Sequence, residues 1–213
     1  MGKTDPYLVD FYLSLLGQES YESAGFFGQS NDNFLTANLN CKNKKYFDLS
    51  LDNWNINDLP YNIEEKFDLI VCTRCCYFAK NPEAVLESFS SMLKKDGKIL
   101  VDWGLGDHWR FEDFKVGWVK NEEQEWCYKE DNFLWSTIWH DSFSSSPEVK
   151  KFKEMIKPFG YNEDLSSIIK KEVPVVLNIE SLIAKKTFRN IKYSIMSLWP
   201  DAPQMYIALV LGN

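Results

Sequence analysis

No stretch of this chain approaches the roughly 20 consecutive apolar residues that span a bilayer, so a helical membrane protein is not expected. The opening residues, MGKTDPYLVD, hold neither the apolar centre of a secretory signal nor an arginine-rich presequence, and a cytoplasmic setting is expected. Histidine is scarce, with 2 in 213 residues, and the 5 cysteines are an odd number without a secretory signal, which suits reduced thiols rather than a disulfide scaffold. Cys72, Cys75 and Cys76 form a C-x-x-C-C, but no second C-x-x-C or paired histidine follows, so a structural zinc lacks its four ligands and no metal is expected. Gly104-Leu105-Gly106 has no third glycine and no long helix behind it, which excludes a dinucleotide fingerprint. The G-x-S-x-G elbow of serine hydrolases is absent. A net charge of −7 argues against a general nucleic-acid backbone binder, whose phosphate contacts need Lys and Arg. Internal repeats, low-complexity tracts and interdomain linkers are also missing.

What remains is ordinary for a globular chain: 45% hydrophobic and 26% charged residues, enough to bury one core over 1–213 as a single domain. The organising stretch is Phe67–Trp109. Phe67–Cys72 is a short apolar run broken only by Asp68, as expected of a strand buried on both faces of a parallel sheet. Asn81-Pro82 supplies an N-cap and a first-turn proline. Val85, Leu86, Phe89, Met92 and Leu93 then share one helical face. Lys94 and Lys95 suit a helix C-terminus, Gly97 can take a left-handed conformation after it, and Lys98–Val101 starts a second strand. This is a right-handed βαβ crossover, and it brings Thr73-Arg74-Cys75 and Asp102-Trp103-Gly104 to one edge of the sheet, where ligands of open α/β sheets bind.

Around that unit, Asp5–Gly17 reads as an amphipathic helix and Tyr21–Phe27 as a first strand followed by a turn at Gly28-Gln29-Ser30-Asn31. A short helix at Asp32–Leu39 and a second strand at Lys45–Leu49 come next. Leu59 comes only 11 positions after Asp48, too few for a full helix and strand. Six of the 8 tryptophans fall within Trp103–Trp139, with His108 and the acidic run Glu122–Glu125 among them and the second histidine, His140, next after Trp139. Core filling and an aromatic lid over the binding edge are both open readings of that segment. Helical pieces follow from Pro147, at Glu163–Lys171 and at Ile179–Lys186, and Ile191–Trp199 with Met205–Leu211 forms a closing hairpin.

FDLIVCTRCCYF followed by NPEAVLESFSSMLKKDGKILV resembles the fourth strand, fourth helix and fifth strand of class I S-adenosylmethionine-dependent methyltransferases, and Asp58-Leu59-Pro60 resembles the D-L-P that often precedes them. Elsewhere the likeness rests on the order of elements. It implies an α/β, Rossmann-like, mainly parallel sheet with helices on both faces, a closing antiparallel β-hairpin, and an aromatic-rich insertion after the fifth strand, here residues 104–177, as a lid or substrate-recognition region. The resemblance also implies S-adenosylmethionine as cofactor, bound by Gly25 and Gly28 of a degenerate glycine turn, by Asp48 at the ribose, and by Asp58, Thr73 and Arg74. Asp48 reads equally well as a turn residue.

His108, oriented by Asp107, is the candidate base, since histidine titrates near neutral pH; an exposed turn is the alternative for both. Trp103, Trp109, Trp118 and His140 are the candidate acceptor contacts. Three functional readings follow: methyl transfer, with a small-molecule acceptor favoured over nucleic acid; a methyltransferase-like partner or scaffold subunit without cofactor; and other chemistry on a related nucleotide. A protein partner or a homo-oligomer is compatible with each.

Overall fold

The structure is a computed structural model that describes residues 5–105, 118–120, 122–123, 126–128, 136–159, 165–172, 175–198 and 204–213. The first helix, α1 (Asp5–Leu16), turns Leu8, Val9, Tyr12 and Leu16 inward and stops at Gly17, whose φ of 83° suits glycine. β1 (Tyr21–Phe27) leads through a turn to α2 (Phe34–Asn38), where the Asn33 side chain accepts the Thr36 N–H and Thr36 returns the bond. β2 (Cys41–Phe47) ends in the single-turn α3 (Leu49–Asp52). β3 (Phe67–Cys72), α4 (Pro82–Ser91) and β4 (Leu93–Leu105) form the crossover. Asn81 caps α4 through the Ala84 N–H, and Pro82 opens its first turn.

Beyond β4 lie β5 (Trp118–Lys120) and β6 (Trp126–Tyr128), an antiparallel pair, then β7 (Ser136–Trp139), α5 (Pro147–Ile156), α6 (Leu165–Glu172), β8 (Val175–Asn178) and α7 (Ile179–Lys185). The hairpin β9 (Asn190–Leu198) and β10 (Gln204–Gly212) closes the chain's sheet. The main sheet runs β2-β1-β3-β4-β10-β9. Its first four strands are parallel, and β10 is antiparallel to β4 and β9.

β3 and β4 are neighbours at the centre, as the crossover requires. The unbroken apolar character of β3 follows from its two buried faces: Leu69 and Val71 pack with α1 and α2, Ile70 and Cys72 with α4 and α5. Residues 48–66 hold α3 and no strand, so the shortness of that connection is real and β2 stands at the sheet edge. The described part of the 104–177 segment from Ser136 onward places Ile138, Phe143, Val149, Phe152, Ile156 and Leu177 in the same apolar cluster as β3 and β4. No helix among the described residues is long and apolar enough to cross a membrane.

Two local expectations are corrected. The second strand spans Cys41–Phe47 rather than Lys45–Leu49, because Asp48 turns the chain into α3. α4 ends at Ser91, and Lys94 and Lys95 already belong to β4, which starts opposite Phe67 and slips register before Leu69. The left-handed residue there is Asp96, at φ 63°, and not Gly97. Gly97 is small for a different reason: a Cβ on it would lie 3.0 Å from the Phe67 carbonyl oxygen.

Candidate cofactor cleft

The carboxyl ends of β1, β2 and β3 open onto a cleft of about 430 Å³ whose walls include Gly28, Asp48, Leu49, Trp54, Asn57, Arg74, Cys75 and Lys80. Behind the Trp54 wall lies a buried aromatic cluster. Phe27 stacks on Phe47 at 4.4 Å between centroids and meets Trp54 edge-on at 5.3 Å, with Tyr61 beyond at 5.4 Å from Trp54. Burial pushes the Tyr61 hydroxyl pKa well up.

Gly28 sits where only glycine fits. Its φ is 75°, and a Cβ would lie 2.8 Å from the Cys75 Sγ. Its N–H donates to the Phe47 carbonyl at 2.8 Å, and the Gln29 N–H donates to the same oxygen at 3.4 Å. The glycine turn is thereby tied to the end of β2. The Gln29 side chain continues the link, donating to Thr73 Oγ1 at 3.4 Å and accepting from Asn33 Nδ2 at 2.9 Å. Gly25, by contrast, is buried in mid-strand between Lys45 and Ile70 and lies away from the cleft. A Cβ there would come within 2.9 Å of the Phe27 ring and 3.2 Å of Phe67, so its small size serves ring packing rather than a ligand.

Asp48 is a turn residue that also borders the cleft. Its Oδ1 accepts the Ser50 N–H at 3.0 Å and the Ser50 hydroxyl, capping α3, and the residue also lines the cleft. Leu49 beside it is 64% exposed, an apolar surface next to a carboxylate. Asp58 is exposed and does not contribute to the wall. Its neighbour Asn57 does: Lys80 N–H donates to Asn57 Oδ1 at 2.8 Å, and Asn57 Nδ2 donates to the Phe78 carbonyl at 3.2 Å, which pins the loop after β3. Trp54 is a further wall residue that the motifs did not single out, and its buried Nε1 has no hydrogen-bond partner among the described residues.

Thr73 and Arg74 stand at the end of β3, as their place after the strand predicts. Thr73 is buried, and Arg74 adopts φ 59° with its guanidinium 5.9 Å from the Tyr206 ring centroid. Both also border a second cavity of about 30 Å³ between α1, α2 and this turn, room for about one water. The Arg74 N–H donates to Asp102, a fully buried carboxylate on β4 that also accepts the Tyr12 hydroxyl from α1. Burial first, and then the Asp102 charge, drive the Tyr12 pKa well above its ordinary value.

The expected acceptor contacts separate. Trp103 is a core side chain, 1% exposed, because it shares the Ile99 and Val101 face of β4 and turns its ring under the sheet. Its Nε1 donates to Ser136 Oγ at 3.2 Å, and that hydroxyl donates to the Cys76 carbonyl at 2.8 Å. Trp139 is likewise buried, packed edge-on to Phe143. His140 caps the turn after β7, its Nδ1 accepting the Ser142 N–H at 3.0 Å, and its ring lies on Tyr193 of edge strand β9. It is absent from the cleft walls. Asp107, His108 and Trp109 lie outside the described residues, and of Trp118 only the backbone, in β5, is described.

Residues 30–160 match the family model of a methyltransferase domain. The chain belongs to the methyltransferase-domain family. The match begins just past Gly28, so β1 and its tied glycine turn fall outside it. An uncharacterized protein of Methanocaldococcus jannaschii, MJ1123, is 30% identical over 126 residues, which cover 58% of this chain. The chain spans about half the length, 52%, of that curated relative. A S-adenosylmethionine-dependent methyltransferase from Clostridium acetobutylicum aligns with a TM-score of 0.48 at 12% identity, covering 99% of this chain and 92% of its own. The N-methyltransferase NodS from Bradyrhizobium japonicum, in complex with S-adenosyl-l-homocysteine, aligns at 0.46 and 10%, covering 99% and 86%.

Proposed function

We propose that this chain binds S-adenosylmethionine in the cleft at the ends of β1, β2 and β3 and transfers its methyl group to a small-molecule acceptor. The observation that carries the reading is the cleft wall itself. A carboxylate at the end of β2, an exposed leucine beside it and the Trp54 side chain line one cavity of about 430 Å³, within the size range of cofactor sites.

The residues suit the adenosine part of the cofactor. Asp48 caps α3 through Oδ1, and its second oxygen can accept the ribose hydroxyls. Leu49 and Trp54 offer apolar surface for the base. Arg74 lines the cleft together with Gly28, and Thr73 is joined to the glycine turn through Gln29, so the amino-acid part would lie there. The bound cofactor supplies an electrophilic methyl on a sulfonium, so the protein chiefly orients the acceptor, excludes water and removes a proton. We assign that proton removal to His108 held by Asp107, with Trp109 and Trp118 near the acceptor. The free thiols of Cys41, Cys72, Cys75 and Cys76 suit a cytoplasmic setting.

One observation favours the second reading, a methyltransferase-like partner without cofactor: the Gly28 and Gln29 N–H groups are both engaged by Phe47. Calorimetric titration with S-adenosylmethionine and S-adenosylhomocysteine separates the two. The proposal expects both to bind, with Asp48→Asn weakening each. Absence of heat with a correctly folded chain refutes it in favour of the partner reading.

A further inference from the structure

The C-x-x-C-C of the sequence has no part in methyl transfer, yet the fold gathers its three thiols at the cleft. Cys72 ends β3 fully buried, and Cys76 is 1% exposed with its Sγ donating to the Cys72 carbonyl at 3.3 Å. The Cys72 thiol lies close enough to Cys75 and Cys76 for their charges to act on it. Cys75 differs from the other two. It is half-buried, and it forms part of the wall alongside Asp48, Arg74 and Lys80. Its Sγ lies against Gly28, 2.8 Å from where a Cβ would stand, at the junction between the glycine turn and the loop after β3. Any group attached to that sulfur must project into the cleft, because the buried thiols and the glycine backbone close its other sides.

We propose that Cys75 is a thiol-modification site within the cofactor cleft, which takes a low-molecular-weight disulfide, and that the adduct and the cofactor exclude one another. The exclusion rests on the function proposed above; the site does not. In the reaction, the Cys75 thiolate attacks one sulfur of RSSR. The new Cys75–S–SR bond forms as the reagent's S–S bond breaks, and RS⁻ leaves and takes up the proton lost from Cys75. The protein sulfur is oxidised to the disulfide level and half of the reagent is reduced to RSH, so no other oxidant is needed. The adduct persists because the thiols behind it are poor at displacing it. Burial pushes the thiols of Cys72 and Cys76 up, which holds them protonated.

The test uses the full chain, reduced, then treated with glutathione disulfide, quenched in acid at intervals and peptide-mapped by mass spectrometry. The adduct should form on Cys75 about tenfold or more faster than on Cys72 or Cys76, as expected for an accessible thiol against buried ones. Cys75→Ser should remove that fast phase. S-adenosylhomocysteine, at a concentration shown by calorimetry to saturate the chain, should slow the Cys75 reaction by a similar factor. A Cys75 that reacts only after denaturation overturns the inference, as does accumulation of a Cys72–Cys75 disulfide in place of the adduct. An unchanged rate under saturating ligand overturns the exclusion. Absence of calorimetric binding overturns the proposed function and the exclusion with it, and mapping without ligand still decides whether Cys75 is the site.

Discussion

Tyr12→Phe isolates one bond of the buried pair that ties α1 to the sheet. The hydroxyl donates to Asp102, a carboxylate with no exposed surface, whose other oxygen accepts the Arg74 N–H. Removing the hydroxyl leaves the ring packing intact and takes one donor from a buried charged acceptor. Hydrogen bonds to charged groups contribute about 1.5–3 kcal/mol, so we take a loss of about 2 kcal/mol. In a chain of this size that lowers Tm by about 4–8 °C.

The effect also has a pH signature. The folded-state pKa of Tyr12 lies well above the unfolded value of 10.0, so the native state holds this proton more tightly. The associated stability is fully present below about pH 10 and is lost as pH rises towards the folded pKa. The gap between wild type and Tyr12→Phe should therefore hold from pH 7 to 9 and narrow above pH 10. Tyr21, Tyr46 and Tyr61 are also shifted upward, Tyr46 to about 12, but all three are present in both proteins and drop out of the difference. Urea denaturation at pH 7 and pH 10.5 measures it. Equal stability at pH 7, or a gap that widens in alkali, refutes the reasoning.

At the cleft, Asp48→Asn keeps the cap on α3 and loses the charge. It should weaken S-adenosylhomocysteine binding by about 1–3 kcal/mol, and unchanged calorimetric affinity would reduce Asp48 to a cap. Gly28→Ala combines a φ of 75° with a Cβ 2.8 Å from Cys75 Sγ, so a loss of about 1–3 kcal/mol is expected in chemical denaturation; a neutral result would mean that the turn relaxes freely. Ser136→Ala leaves the Trp103 indole N–H without its acceptor inside the core, costing about 1–3 kcal/mol, and should shift tryptophan emission. Because Trp103 and Trp139 are buried, acrylamide should barely quench the emission they contribute, measurable as a protected fraction in wild type that falls in Trp103→Phe.

The βαβ unit is legible because each cue agrees with the others. An apolar run that must be buried on both faces, an Asn-Pro cap and a helix of matching length leave one arrangement, and β3, α4 and β4 adopt it. The hairpin is legible for a similar reason, with two β-rich runs around Pro200-Asp201-Ala202-Pro203. Asp48 is found by its place after a strand. Gly28 and Arg74 of the wall are found the same way, whereas Trp54 and Asn57 are not, because they lie in an aperiodic loop and gain their position only when it folds beneath the end of β3. Gly25 misleads because glycine spacing cannot tell a turn from a close ring contact inside a strand. Trp103 misleads because tryptophan density does not distinguish core from lid. The alternation along β4, with Ile99, Val101 and Trp103 on one face and Leu100 and Asp102 on the other, was the available signal. Asp102 itself depends on a partner 90 positions away, which no local pattern announces.

The missing strand between β2 and β3 bears on how the molecule behaves in a crowd. With no strand beyond it among the described residues, β2 presents a row of backbone donors and acceptors, the kind of surface on which another chain can add a strand. Its sequence, CKNKKYF, places Lys42, Lys44 and Lys45 along that border, paired with Glu22, Asp32 and Glu65. Docking a foreign strand there would require stripping water from these ion pairs and parting them. The lysines thus act as a guard rail against fibril-like stacking, a protection that a strand covered by its neighbours would not need.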